Sequence, residues 1–198
     1  MSNLVKSNVV LSSTDKSELR KCIDTIVVDG VFSLNNFLPM PTELDIENST
    51  LEKKGICVLE NKLFLGSEVT FRDMAERAKA IEIGRKAIAN KKEFGFYDWY
   101  DWRCKYWGCK RDVVPDELYM MDKGEEFHLG IETDWTTPKS FFIALSEKFP
   151  NVRIDVEYAD ENCVNNCGIY RLIGGELIKD VEIEDDEEFG ESVWDLEC

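Results

Sequence analysis

The sequence predicts an α+β fold in which two helices cover one face of an antiparallel sheet. Three observations indicate this fold. Segments whose apolar residues alternate, as in strands, are interspersed with segments whose apolar residues recur every third or fourth position, as in helices. The dipeptide Gly174-Gly175 separates the last two strand-like segments and suits a tight hairpin, because glycine accepts a positive φ. The 198 residues suffice to bury a core without disulfides.

The N-terminal segment predicts a strand, a helix and a second strand. Residues 5–12 alternate loosely and are rich in valine, which favours a strand. A cap at Thr14 or Asp15 then begins an amphipathic helix that runs to about residue 28. After a turn, residues 31–34 predict a short strand. The prolines of the following LPMP segment prevent this strand from continuing, because each removes a backbone donor.

Residues 42–121 are predicted to form a helical insertion between the second and third strands. Their first part, 42–68, has a mixed period and predicts a loop with a short hairpin at 55–65. The TFRD segment has the spacing of a capping box and precedes a long amphipathic helix, predicted over residues 71–89. This helix leads into the aromatic-rich residues 94–108.

The rest of the chain predicts the second half of the sheet. Its strands are predicted at 125–133, 152–156, 168–173 and 176–183. Between the first two of these lies a helix that begins at Pro138 and ends at Phe149. The order strand, helix, strand, insertion, strand, helix, strand is the βαββαβ order of a ferredoxin-like sandwich, which we assign to residues 1–183. An acidic C-terminal segment, 184–198, follows it.

The densest chemistry lies in residues 94–108, FGFYDWYDWRCKYWG, where eight aromatic residues occur within fifteen positions. A helix over residues 97–107 would carry two apolar stripes and should therefore be sandwiched between other elements. The stripes are Phe96, Tyr100, Arg103 and Trp107, and Trp99, Trp102 and Tyr106. Aromatics of this size usually pack in a core, so burial is the favoured interpretation. The alternative is a binding surface for a partner or ligand, with Trp99, Trp102, Arg103 and Trp107 as its candidate residues.

The segment YDWYDWRCKYWGCK resembles the signature of the YubB ferredoxin-like family of phage, plasmid and pathogenicity-island proteins. In that family a Trp-Tyr-x-Trp segment runs into Trp-Gly-Thr-Lys. FSLNNFLPMPTEL resembles the family's Phe-x-Lys-x-x-Pro-Met-Pro-x-Glu-Leu segment, and ETDWTTPKSFFIALSEKFPNVRIDVEYADEN resembles its Thr-x-Trp-x-x-Pro helix and following strand. Cys109 and Arg111 depart from the family pattern, which has Thr and often an aromatic at these positions.

The resemblance covers most of residues 1–183. It implies a ferredoxin-like fold and a mobile-element context, but it implies no reaction, because the activity of the family is unassigned. Lys110 and Trp135 fall within the resembling motifs and join the candidate binding residues.

The net charge of −16 is concentrated at the C-terminus. Residues 180–198 contain ten acidic and no basic residues, so the rest of the chain has a net charge of only −6. This charge disfavours direct nucleic-acid binding, which depends on Lys and Arg. Two roles are open for the segment: a solvated phosphate mimic, or a helical cap that packs Phe189, Val193 and Trp194 on the sheet. The candidate binding residues here are Asp185, Asp186, Glu187 and Glu188.

Few features of the sequence favour an enzyme or a metal protein. No phosphate-binding GxGxxG or GxxxxGK(S/T) motif occurs, so we expect no cofactor. His128 is the only histidine and has no catalytic motif around it. The spacings of Cys104, Cys109, Cys163 and Cys167 fit a zinc site poorly. An odd cysteine count, the lack of a signal peptide and the lack of a membrane span predict a cytoplasmic protein with reduced thiols.

The sequence therefore favours a non-enzymatic interaction module of phage or mobile-element origin. Its partner would be a host protein, specifically a nucleic-acid-binding defence complex that the acidic segment inhibits by occlusion or nucleic-acid mimicry, as an anti-CRISPR protein does. One alternative is a nucleic-acid-binding module that stacks bases on the sheet. It would need exposed aromatics on the strands, for which the main candidates are Phe127, Tyr158 and Tyr170. Another is an accessory phage protein of a different role.

Overall fold

The computed structural model describes residues 3–113, 118–184 and 186–194. The chain forms two compact units, Met1–Pro39 with Cys104–Cys198, and Met40–Arg103. The strands are β1 (Leu4–Ser12), β2 (Val27–Val28), β3 (Val31–Phe32), β4 (Tyr119–Asp122), β5 (Glu126–Asp134), β6 (Arg153–Asp160), β7 (Cys167–Ile173) and β8 (Glu176–Ile183). The helices are α1 (Lys16–Ile26), α2 (Leu34–Phe37), α3 (Thr50–Leu59), α4 (Met74–Phe94), α5 (Trp99–Tyr106), α6 (Lys139–Lys148) and α7 (Glu187–Trp194), with a 3-10 turn at Thr42–Leu44.

The first unit has the predicted ferredoxin-like fold. Its antiparallel sheet has the order β4-β5-β1-β6-β7-β8. The elements β1, α1, β4, β5, α6 and β6 supply the βαββαβ unit, and the β7–β8 hairpin extends the sheet. Every second residue of β1, from Val5 to Leu11, is buried on one face of the sheet, which α1 and α6 cover. The side chains of α1 and α6 that are buried there are Leu19, Cys22, Ile23, Ile26, Phe141, Phe142 and Leu145.

The second strand of the sandwich differs from the prediction. It is β4, which pairs with β5, so the predicted end of the insertion near residue 121 falls inside a strand of the sheet. The predicted strand 31–34 is reduced to β3, which pairs only with β2. The chain turns into helix α2 at Ser33, because the Ser33 hydroxyl caps the helix by accepting the Asn35 N–H. The Asp112 carboxylate accepts the N–H of Leu34, the first residue of α2, at 2.8 Å.

The second unit contains a helix where the sequence predicted a hairpin. Residues 50–59 form α3, capped by Ser49, and α3 packs closely on α4. The two helices cross at Gly55 and Gly84: a Cβ on Gly55 would lie 1.9 Å from the Ala80 carbonyl oxygen, and one on Gly84 would lie 2.6 Å from the Gly55 carbonyl carbon. The capping box of α4 is also displaced by three residues, since its N-cap is Asp73. None of the helices described is long and apolar enough to span a membrane.

Candidate functional site

Within the acidic C-terminal segment, residues 187–194 form helix α7, which lies on the sheet face opposite α1 and α6. Side chains of β1 hold its last turn: Lys6 donates from Nζ to the Trp194 carbonyl at 3.0 Å, and Asn8 donates from Nδ2 to the Val193 carbonyl at 2.8 Å. The Trp194 indole N–H donates to the Asp160 carbonyl at 2.8 Å. The bonds from Lys6 and Asn8 satisfy carbonyls that the end of a helix leaves without partners. Helix α7 is therefore fixed to the sheet.

The apolar side of α7 completes a small core on this face. Val193 is fully buried against Ala159 and Cys167, and Ile183, Phe189 and Trp194 pack around them. Gly190 allows the close approach, because a Cβ there would lie 2.0 Å from the Cys163 carbonyl oxygen. Of the two roles predicted for the segment, the helical cap is thus present in the structure.

The acids of this region point to solvent. We define the acidic surface as the exposed residues Glu184, Asp186, Glu187, Glu188 and Glu191. Among the residues described, none of these five is in an ion pair. Asp186 caps α7 by accepting the Phe189 N–H at 3.0 Å, and acids in the first turn are favoured by the helix dipole. Asp185, also a candidate binding residue, lies outside the described residues.

We expect the substitution Val193→Asp to release α7 from the sheet. A carboxylate at this fully buried position would lack a partner, so the docked state of α7 should be destabilised by about 2 kcal/mol. The cost is no larger because α7 can detach from the sheet without unfolding the rest of the unit. The measurement is the rate at which a thiol reagent modifies Cys167, followed by peptide mass spectrometry, because α7 buries this thiol. Ser192→Asp, at the exposed neighbouring position, is the control. Equal protection of Cys167 in both variants would contradict the docking.

Beside α7, the same sheet face carries an open pocket of ≈ 320 Å³. Its polar lining comes from Asn8, Tyr119, Lys123, His128, Asp155 and Glu157. The sequence showed no partner for His128, but its Nε2 lies 3.1 Å from Oε2 of Glu126, two residues earlier on the same face. Asp155 is bonded to Arg153 and Arg171. Tyr119 belongs to β4, a strand that the sequence pattern does not predict, so no sequence signal pointed to it.

The strand aromatics considered for base stacking do not face this open side. Phe127, Tyr158 and Tyr170 are all buried, with exposures of 5%, 9% and 0%. Tyr170 donates or accepts a hydrogen bond with Thr137 at 3.0 Å. Burial raises the pKa of the Tyr170 hydroxyl. These rings pack in the core, so they provide no stacking platform.

Lys110 and Trp135, two of the candidate binding residues, lie together in the first unit. The Lys110 Nζ is 5.6 Å from the centroid of the Trp135 ring and 3.5 Å from the buried carboxylate of Asp134. The Arg111 guanidinium binds the same carboxylate in a bidentate manner, donating from Nε and Nη2 to its two oxygens. Trp135 is 52% exposed and has a φ of +68°, a conformation that costs roughly 1–2 kcal/mol for a residue with a Cβ. Asn3 holds this backbone by accepting the Trp135 N–H at 2.8 Å.

The candidate residues of the aromatic segment are mostly packed inward. Trp107 is 1% exposed and donates from its indole N–H to the Leu38 carbonyl at 2.9 Å. Trp102 is 8% exposed, and Trp99 is half-buried with the Arg103 guanidinium 5.0 Å from its ring centroid. The prediction that both stripes are buried is wrong at Tyr100 and Tyr106, which are 41% and 39% exposed.

No group of three or more His, Cys, Asp or Glu residues in the described parts of the chain is placed to hold a metal ion. Burial raises the pKa of the Cys109 thiol, and to a smaller extent that of Cys167, so both favour the protonated form. Metal ligation and nucleophilic attack need the thiolate. The absence of a zinc site stays a prediction.

Residues 116–197 match the model of a family described as the ferredoxin-like domain in Api92-like protein. Among solved structures, the crystal structure of the protein api92 from Yersinia pseudotuberculosis matches 92% of this chain and 98% of that chain, with 9% sequence identity and a TM-score of 0.49. No curated protein matches the chain. From β4 to α7, the chain is therefore similar to the ferredoxin-like domain of Api92-like proteins.

Proposed function

We propose that this chain is a non-enzymatic protein-interaction module of phage or mobile-element origin, with a ferredoxin-like domain of the YubB type. It acts in the host cytoplasm by binding a host protein through the acidic surface. The observation that carries this proposal is that Glu187, Glu188 and Glu191 of the acidic surface lie on a helix docked by its apolar side. A docked helix holds its carboxylates at fixed spacing.

Fixed carboxylates favour binding in two ways. They lose little conformational freedom when a partner binds, and their field accelerates association with a basic groove. A groove that binds nucleic acid is lined with Lys and Arg to match the phosphates. We therefore infer that the partner is a nucleic-acid-binding defence complex, which the acidic surface occludes by occupying the position of the phosphates.

The two other functional classes have less support. A nucleic-acid-binding sheet needs exposed aromatics and free cations, whereas Phe127 and Tyr170 are buried and Arg153 and Arg171 both bind Asp155. For an enzyme, the open pocket offers a histidine that is bonded to Glu126 in a site that is open to solvent. Catalytic sites are usually enclosed enough to exclude water.

The test is the salt dependence of association. The double substitution Glu187→Gln/Glu188→Gln removes two charges of the acidic surface and leaves the apolar side of α7 unchanged. Its on-rate for a partner captured from host lysate should fall roughly threefold at low salt, because steering depends on charge, and the difference should shrink at high salt. The control, Glu68→Gln/Glu93→Gln, removes two exposed charges from the second unit. Equal and salt-independent on-rates for all three proteins would contradict the electrostatic role.

A further inference from the structure

The second unit contains a pocket of ≈ 550 Å³ that is lined mainly by acidic and aromatic residues. It lies between α3 and the residues that lead into α5. Its acidic and aromatic lining is Glu52, Glu60, Asp98, Asp101, Tyr97 and Tyr100. Two lysines also line it, but Lys62 is bonded to Glu60 at 2.5 Å, and Lys53 is exposed. The lining therefore carries more negative charge than its own cations balance.

One acid of this pocket is buried without a hydrogen-bond partner. Glu52 is 1% exposed, and neither of its carboxyl oxygens makes a hydrogen bond of normal geometry, although the Ser49 N–H and the Asp98 carboxyl are its polar neighbours. Glutamate is rarely buried this completely unless it is paired, because a carboxylate loses its hydration on burial. The site therefore requires either a proton on Glu52 or a cation beside it.

The neighbouring Asp98 cannot supply this donor while it is ionised. Asp98 is 5% exposed, and it accepts hydrogen bonds from Nδ2 of Asn48 at 2.9 Å and from the N–H of Tyr100 at 2.7 Å. Burial first, and then the charge and the carboxyl group of Asp98, raise the pKa of Glu52 to about 7, while the backbone N–H of Ser49 and the charge of Lys53 oppose this. At neutral pH Glu52 is therefore protonated in about half of the molecules.

We propose that this pocket is a binding site for an organic cation, an alkylammonium or guanidinium group, held by Glu52 and Asp98. Such a group supplies several N–H donors to two carboxylates, and these charge-assisted bonds are stronger than neutral ones. A metal ion fits less well, because no set of three ligand residues with metal-binding placement occurs in the described chain. This site is independent of the acidic surface and goes beyond the function proposed above.

The bound cation takes the place of the proton on Glu52. Binding below pH 7 therefore releases a proton, and the affinity should rise about tenfold from pH 6 to pH 8, as Glu52 changes from mostly protonated to mostly ionised. The other ionisable groups that line the pocket are Lys53, Cys57, Glu60, Lys62, Tyr97 and Asp101. Lys62 and Glu60 form an ion pair and neutralise each other. We therefore expect Glu52 to set the pH dependence of the affinity.

Isothermal titration calorimetry of the full-length protein tests the proposal with two probes, putrescine and N-acetyl-arginine amide. Titrations at pH 6 and pH 8, in two buffers of different ionisation enthalpy, give both the affinity and the number of protons released. Tighter binding of putrescine assigns the site to free diamines and polyamines, and tighter binding of the arginine derivative assigns it to an arginine side chain of a polypeptide. Either result supports the site.

Glu52→Gln is the diagnostic variant, because it keeps the shape of the side chain and removes its charge. It should weaken binding at pH 8 by roughly tenfold or more and abolish both the pH dependence and the proton release. Glu68→Gln, an exposed acid of the same unit outside the pocket, should bind like the parent. Asp101→Asn on the pocket wall gives a second test that does not change the buried pair. Binding that is absent with both probes, or equal in the parent and Glu52→Gln at both pH values, would overturn the proposal.

Discussion

Replacement of Trp107 by alanine should destabilise the first unit by about 3–5 kcal/mol, which is the usual range for removing a fully buried tryptophan. The indole is 1% exposed, and its N–H is the donor to the Leu38 carbonyl, so the change leaves both a cavity and an unsatisfied acceptor. The backbone around it is equally constrained: the Trp107 carbonyl accepts the Phe141 N–H, and Gly108 has a φ of +87°. Thermal melting should show a decrease of about 10 °C.

Tyr106→Ala is the matched control for this experiment. Tyr106 precedes Trp107 and belongs to the same aromatic segment, but it is 39% exposed. Its removal should cost about 1 kcal/mol or less, since it buries less area and leaves less of a cavity. If both variants melted alike and only Trp107→Ala lost a partner, the segment would be a binding surface and the structural interpretation would fail.

Much of the fold follows from local sequence patterns. Apolar and polar residues alternate along strands β1, β5 and β6 because one face of the sheet is buried under α1 and α6. The β7–β8 hairpin follows from Gly174 and Gly175, which have φ values of +57° and +80°. Asp15 caps α1 as predicted. In these elements the local signal and the tertiary structure agree.

The elements that were missed depend on contacts distant in sequence. Strand β4 has only four residues and no buried position, so it has no alternation to detect. In α3, Gly55 indicates a turn when the segment is considered alone. Its structural role is the close crossing with Gly84 of α4, which no local pattern reveals.

For the acidic C-terminal segment, the sequence predicted which residues form the candidate site but not how they are placed on the sheet. The sequence identified the acids of the C-terminal segment and the apolar residues beside them. It did not show that Lys6 and Asn8, at the other end of the chain, bind the last turn of α7. It also gave no indication of the buried acid pair, because Glu52 lies between lysine and apolar neighbours and would ordinarily be assigned to solvent.

Glu52→Gln should stabilise the protein by about 3 kcal/mol at pH 8 and by about 1 kcal/mol or less at pH 5. Burial and the neighbouring Asp98 raise the pKa of Glu52 from 4.5 to about 7 in the folded state. The folded protein then binds this proton more tightly than the unfolded chain does, so stability falls as the pH rises from 4.5 to 7 and stays low above it. The charged carboxylate should cost about 3 kcal/mol at pH 8.

Glutamine removes this cost because it cannot ionise, and it nearly matches the neutral carboxyl group in shape. Urea unfolding at pH 5 and pH 8 measures the difference, and Glu68→Gln controls for the loss of one negative charge from the same unit. The parent should be less stable than Glu52→Gln at pH 8, and the difference should shrink to about 1 kcal/mol at pH 5, where the Glu52 carboxyl is neutral in the folded protein but still ionises in the unfolded chain. A constant difference at both pH values would mean that Glu52 ionises normally and that its carboxylate is hydrated or paired in solution.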